Sequence, residues 1–290
     1  MSSLQSTRNS CRRGARSSAF TLVELLVVIG LVALVLALLF PAILSMRQRS
    51  AQVREMGAAR ALFAAWTNYA TENGGQLIPG YKNGLPAFDE NGKSIAAETV
   101  GVAAGRYPWR LAPYLGYNFR GLYLDDNLRT LEELESTDYW NYLYQTSVYP
   151  SLGLNTMWVG GDENYGGFNS AYLNPFGKFY VTRLSEIRHT DRLIICGSAR
   201  GTDPTAGGSG PMREGYFRVL SPNFTSTIWA DHYDPENAAS CGQVSSRNGG
   251  RTVVGFAGGH VESKAIDELR DMRFWSDRAD SPDWKLTTNP

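Results

Sequence analysis

The chain has 290 residues, enough for one sizeable core, and its 28 basic and 28 acidic side chains balance. No basic tract marks a nucleic-acid binder, and no nucleophile elbow, phosphate loop or dinucleotide fingerprint marks an enzyme of a common class. Thirty glycines, thirteen prolines and fifteen tyrosines describe a loop-rich globular part with many turns.

Residues 1–19 carry Arg8, Arg12, Arg13 and Arg16 and no acidic residue. An apolar run follows, uncharged from Leu25 to Leu44, with Glu24 at its N-terminal edge. Twenty helical residues reach roughly 30 Å, one hydrocarbon thickness. Positive charge ahead of a span holds that side in the cytoplasm, so the bulk of the chain is expected to be exported. A secretory signal has a shorter apolar core with small residues after it; here Ser17-Ser18-Ala19 come before it. The span is therefore expected to stay in the mature protein. Glu24 reads in two ways: a solvated carboxylate at the interface, or a paired, functional one inside lipid. Pro41 lacks a backbone donor and predicts a kink or loosening near Leu36–Pro41.

The helix should continue as an amphipathic stretch, Ser45–Thr71. Val53, Met56, Ala59, Ala61, Leu62, Phe63, Ala65, Trp66 and Tyr69 form its apolar stripe, with Arg47, Arg49, Arg54, Glu55 and Arg60 as charged positions between them. Glu72-Asn73-Gly74-Gly75 is a C-terminal stop. Residues 76–105 read as extended loop. Tyr107–Leu115 reads as a short helix, Asp126–Leu143 as a longer one, and 151–161 as a strand or turn-rich segment. Strands are expected at Arg192–Ser198, Glu214–Leu220 and Thr252–Phe256. Ala257-Gly258-Gly259 should turn the last of these into His260–Ala265 as a hairpin. Ile266–Trp275 reads as a final helix, and Gly201–Gly210 as a polar loop. The fold class is α+β: a long N-terminal transmembrane helix continuing into a globular head with an antiparallel β-sheet.

The segment Ala19, Phe20-Thr21-Leu22-Val23-Glu24-Leu25-Leu26, with about twenty apolar residues behind it, resembles the N-terminus of the type IV pilin and type II secretion pseudopilin superfamily. The resemblance implies a prepilin leader, 1–19, a filament-core helix, 20–44, its amphipathic continuation, 45–73, and a pilin-like head, 74–290, the lollipop shape of that family. It implies cleavage between Ala19 and Phe20 by a prepilin peptidase, which then N-methylates Phe20; Ala19 stands where Gly is usual. Phe20, Glu24 and Pro41 match the positions that family uses in assembly, where the new amine and a neighbouring subunit's Glu24 would neutralise each other. Two later segments, Leu184–Ile195 and Arg247–Glu262, resemble pilin-like proteins of planctomycete- and verrucomicrobial-type bacteria. Their C-terminal element has a His ten residues before an Asp-Gly pair; here Asn248 stands at the His position and Gly258 at the Asp position. Residues 76–150 resemble nothing named.

The implied partners are the peptidase, like subunits, the inner-membrane assembly machinery and the bilayer. The implied location is single-pass in the inner membrane, with the head exported to the periplasm or to a cell-surface filament. No cofactor, catalytic group or nucleic acid is expected. The rival reading is a membrane-anchored exported protein that captures glycan or DNA. Without residues 1–19, 24 basic stand against 28 acidic side chains, ordinary for an exported domain. Cys11 leaves with the leader. Cys196 and Cys241 remain, and spacing leaves open a disulfide or a buried strand thiol beside an exposed loop thiol. Asp231, Asp234 and Glu236 are weak calcium candidates in a loop read as solvated, without EF-hand spacing. His189, His232 and His260 lack local partners for zinc.

Overall fold

The computed structural model describes residues 21–95, 102–206 and 210–288. The leader, Ala19 and Phe20 lie outside the described residues, as do parts of the two loops expected at 76–105 and 201–210. The chain divides into two compact units, one up to Arg47 and one from Gln48 onward.

The first unit is helical. Helix α1, Leu22–Glu72, begins in it, and is continuous through Gly30 and Pro41, so the expected loosening does not interrupt the helix. Leu22–Phe40, 19 residues, is long and apolar enough to cross a membrane. Every residue of that stretch is exposed.

In the second unit α1 becomes one-sided. Ala58, Ala59, Leu62, Ala65, Trp66 and Ala70 are buried, while Arg54, Arg60, Ala61 and Ala64 are exposed. The spacing of three and four residues puts one face into the core. The stop falls where the sequence places it. Gly74 and Gly75 take φ of 62° and 84°, and the Gly75 amide donates back to the Ala70 carbonyl at 2.7 Å. Residues with a Cβ resist that left-handed conformation. Val53, 65% exposed, and Ala61, also exposed, depart from the expected stripe, and Glu55 departs in the other direction, being buried.

Short helices follow: α2, Tyr107–Leu111; α3, Asp125–Thr137; and α4, Tyr139–Val148. The single helix expected over Asp126–Leu143 is thus two. Asp138, at φ −148° and ψ 81°, breaks it, and its carboxylate accepts from the Asn141 amide at 3.2 Å to start α4. An Asp that caps the next helix competes with continuing the last one. A further short helix, α5, is Ser170–Phe176.

The strands are β1, Leu152–Leu154; β2, Ile194–Ser198; β3, Arg200–Gly201; β4, Arg213–Glu214; β5, Arg251–Phe256; and β6, Val261–Ala265. A four-stranded antiparallel sheet has the order β1-β2-β5-β6, and β3 pairs with β4. The β5–β6 hairpin matches the sequence reading, with Gly255 opposite Val261 and Arg251 opposite Ala265. A Cβ on Gly255 would come within 3.0 Å of the Cys196 sulfur and 3.9 Å of the Ala59 Cβ, so glycine lets α1 lie close on the sheet. This mixture of helix and antiparallel sheet is compatible with the α+β class.

Two further expectations are corrected. Of the strand expected over Glu214–Leu220, only Glu214 lies in a regular ladder, at the end of β4. Gly215, at φ 103°, turns the chain away, and 216–220 follow β1 through scattered bonds such as Leu154 amide to Phe217 carbonyl, 3.1 Å. Ile266–Trp275 forms two 3₁₀ turns, Glu268–Arg270 and Met272–Phe274, instead of a helix. Asp271 sits extended between them, and its carboxylate accepts from the Arg273 amide at 3.0 Å.

Candidate functional site

The start of α1 is the first candidate. Thr21 and Glu24 form a reciprocal cap. The Thr21 amide and hydroxyl donate to Glu24 Oε2 at 2.9 and 2.8 Å, and the Glu24 amide donates to Thr21 Oγ1 at 3.2 Å. A Thr-x-x-Glu box satisfies donors that a helix start otherwise leaves open, and it places negative charge at the positive end of the helix dipole. Sequence reasoning treated Glu24 as an assembly or interface residue and overlooked this local role, although the Thr21-x-x-Glu24 signal was there. Around and beyond the box, Leu22, Val23, Leu25, Leu26, Val27, Val28, Ile29, Leu31 and Val32 are all 48–77% exposed. Covering the apolar side chains of Leu22–Phe40 would be worth on the order of tens of kcal/mol, so this surface demands lipid or protein around it.

The second candidate is a buried charge cluster between α1 and the segment entering β5. Glu55 Oε1 accepts from Arg247 Nη2, and Glu55 Oε2 accepts from Asn248 Nδ2 at 2.6 Å. Arg247 Nη1 also reaches Glu214 Oε2 at 2.9 Å and the Ala199 carbonyl at 2.8 Å, and Nη2 reaches the Ser151 carbonyl at 2.7 Å. The Glu55 side chain is 3% and the Arg247 side chain 12% exposed. One guanidinium thus ties α1, the link between β2 and β3, β4 and the residue before β1 together. Glu55 shares its helix face with Ala58, Ala59 and Leu62, at steps of three, four and seven, so its burial was legible from periodicity. Its partner, 192 residues away, was not. Asn248, read as standing where a related element has His, is one of Glu55's two donors.

A third buried pair lies deeper. Arg218 Nη1 is 3.0 Å from Asp162 Oδ2, which also accepts from Thr156 Oγ1 at 2.6 Å. Burial works against the Arg218 charge, but the Asp162 carboxylate together with Tyr165 and Tyr216 outweighs it, and the guanidinium pKa is raised.

The remaining sequence candidates stand apart from these clusters. Asp231, Asp234 and Glu236 are exposed. The Asp231 carbonyl accepts from Arg270 and the Asp234 carbonyl from Arg200, so arginines hold this loop's backbone oxygens. Among the described residues no group of three or more His, Cys, Asp or Glu is placed to hold a metal ion. Cys196 and Cys241 are free thiols, and both are buried. Cys241 is therefore not the exposed loop thiol of the sequence reading; it closes the 3₁₀ turn Ala238–Cys241 under the loop. Burial pushes the Cys196 thiol up to about 12. His189 Nδ1 lies 3.2 Å from Asp277, His232 is exposed, and His260 stacks on Phe256 at 4.4 Å. Arg106, Tyr107, Trp109, Arg110 and Phe119, a cluster of basic and aromatic residues, are all buried.

Compared with protein-family models, curated proteins and solved structures, the chain matches none.

Proposed function

We propose that the chain is a structural subunit of a type IV pilus-like or type II secretion pseudopilus filament, not an enzyme. A prepilin peptidase removes residues 1–19 between Ala19 and Phe20 and methylates the new amine. The mature subunit sits in the inner membrane through α1, with its pilin-like remainder exported. Like subunits then pack their apolar helices together, and Glu24 neutralises the Phe20 amine of a neighbour. A buried unpaired charge is very costly, so this pairing sets the axial register.

One observation carries the reading: an apolar helical surface, exposed throughout Leu22–Phe40, whose single charged residue is Glu24. The order small residue, Phe, Thr-Leu-x-Glu supports it. The cap gives the test its precision. Glu24→Gln keeps a side chain able to complete the box but removes the charge. Glu24→Gln is expected to insert into membranes normally and to vanish from sheared filaments. Intact-mass analysis of native protein should show loss of residues 1–19 and gain of one methyl group. Native protein that retains Met1, or Glu24→Gln at wild-type levels in filaments, overturns the proposal.

A further inference from the structure

The four-stranded sheet ends at β6, and no strand or bridge among the described residues pairs with its outer side. An open edge offers a row of amides and carbonyls to any extended chain. The β5–β6 register tells which groups those are. The Phe256 amide donates to the His260 carbonyl at 3.0 Å, and hydrogen-bonded pairs alternate along an antiparallel ladder. Val254 with Glu262 and Thr252 with Lys264 are therefore the bonded pairs. Val261, Ser263 and Ala265 turn their amides and carbonyls outward.

Two of those outward groups are already taken, by side chains. Arg251 reaches across from β5: its Nη2 donates to the Ser263 carbonyl at 2.5 Å and its Nε to Ser263 Oγ at 3.2 Å. Glu268, in the 3₁₀ turn after β6, accepts from the Ala265 amide through Oε2 at 2.6 Å. The two side chains then close on each other, Arg251 Nη2 to Glu268 Oε2 at 3.3 Å. One donor and one acceptor so placed are what a residue of an added strand would supply. The Ala265 amide, and then the nearby Arg251 and Lys264 charges, hold the Glu268 carboxyl below the usual carboxylate range, so the acceptor stays ionised at neutral pH. Arg251 and Glu268 are 45% and 48% exposed, and an ion pair that open to water adds little to stability. Its position on the edge calls for another reason.

The strand is also complementary to itself. Glu262 and Lys264 flank Ser263, and a two-fold axis at Ser263 sets Glu262 of each copy opposite Lys264 of the other. That register uses the Ser263 carbonyl and the Ala265 amide, the two groups the side chains hold. We infer that β6 is a docking edge for β6 of a second copy, and that Arg251 and Glu268 keep it shut. The inference involves neither the leader nor Phe20 nor Glu24, so it and the filament reading can fail separately.

The test uses the full-length protein in detergent micelles, carrying Ser263→Cys. In the two-fold register the two Cα atoms at this position lie about 5.5 Å apart, within disulfide reach. Mild oxidant should give little dimer while Arg251 and Glu268 are present. Adding Arg251→Ala/Glu268→Ala should raise the disulfide-linked fraction about tenfold, since two backbone groups are freed. Either single replacement should raise it about threefold, and serves alone if the double one does not fold. Glu268→Gln keeps an oxygen for the Ala265 amide and should stay near the starting level. Glu262→Lys on the double background should abolish the gain, because it sets like charges opposite each other. Association through α1 acts equally in every background and does not mimic these differences. Equal cross-linking with and without the two side chains overturns the inference. So does no cross-linking after their removal, or a gain indifferent to Glu262→Lys.

Discussion

Glu24 and Glu55 lie on one helix and meet opposite fates. Glu24 is exposed, and the Thr21 backbone and hydroxyl three residues away hold its carboxylate. Glu55 is buried and depends on Arg247 and Asn248, nearly two hundred residues further on. The first arrangement needs no tertiary structure, because a helix start supplies its own donors. The second exists only once β5 has found α1. A carboxylate on an apolar helix face is therefore a local device at one end and a fold-dependent joint at the other.

The comparison breaks most readily at Glu55. Arg247→Ala should cost about 3–5 kcal/mol in equilibrium unfolding, because it leaves the Glu55 carboxylate buried with only the neutral Asn248 amide as donor, and Glu55→Ala should cost less, because Arg247 keeps Glu214. Glu55→Leu/Arg247→Met should recover much of that loss, and a double-mutant cycle measures the coupling. Strict additivity of the two single losses would show that the pair is not a unit. Glu24→Ala should cost only about 1 kcal/mol, confined to fraying of the first helical turn and read by amide exchange, with global unfolding untouched.

Asp89 offers an intermediate case, a buried carboxylate satisfied by near neighbours. Burial raises its pKa, but hydrogen bonds from Tyr139 and from the Lys93 and Asn91 amides outweigh it, and the net shift is downward. A depressed folded pKa means the stabilisation is full above the unfolded carboxylate range, about 3.9, and disappears as pH falls through the lower folded value. Asp89→Asn should accordingly flatten the acid limb of the stability curve below about pH 4. The smallest effect concerns the thiols: with Cys196 pushed up to about 12, an alkylating reagent at pH 8 should leave it unlabelled until the protein unfolds.

The same contrast explains what could be read from the chain. Features set by neighbours in sequence were legible. They include the end of α1 at Gly74–Gly75, the Arg251–Ala265 hairpin, the short helix at Tyr107 and the 19-residue apolar stretch. Asp138 and Asp271 were misread because a capping Asp inside a helical pattern looks like an exposed helical position until its own amide partners are seen. The segment after Glu214 was misread because its pairing with β1 depends on Gly215 turning it aside. Glu55 was counted as a surface charge, though its step to Ala58, Ala59 and Leu62 placed it inward.

The donor at position 248 has one further effect. An imidazole there would gain and lose a proton over the mildly acidic range, and its grip on Glu55 would follow. The Asn248 amide, 2.6 Å from Glu55 Oε2, has no proton to exchange in that range. Where a histidine would make the seam between helix and hairpin a sensor of acidity, the amide keeps this contact constant across that range.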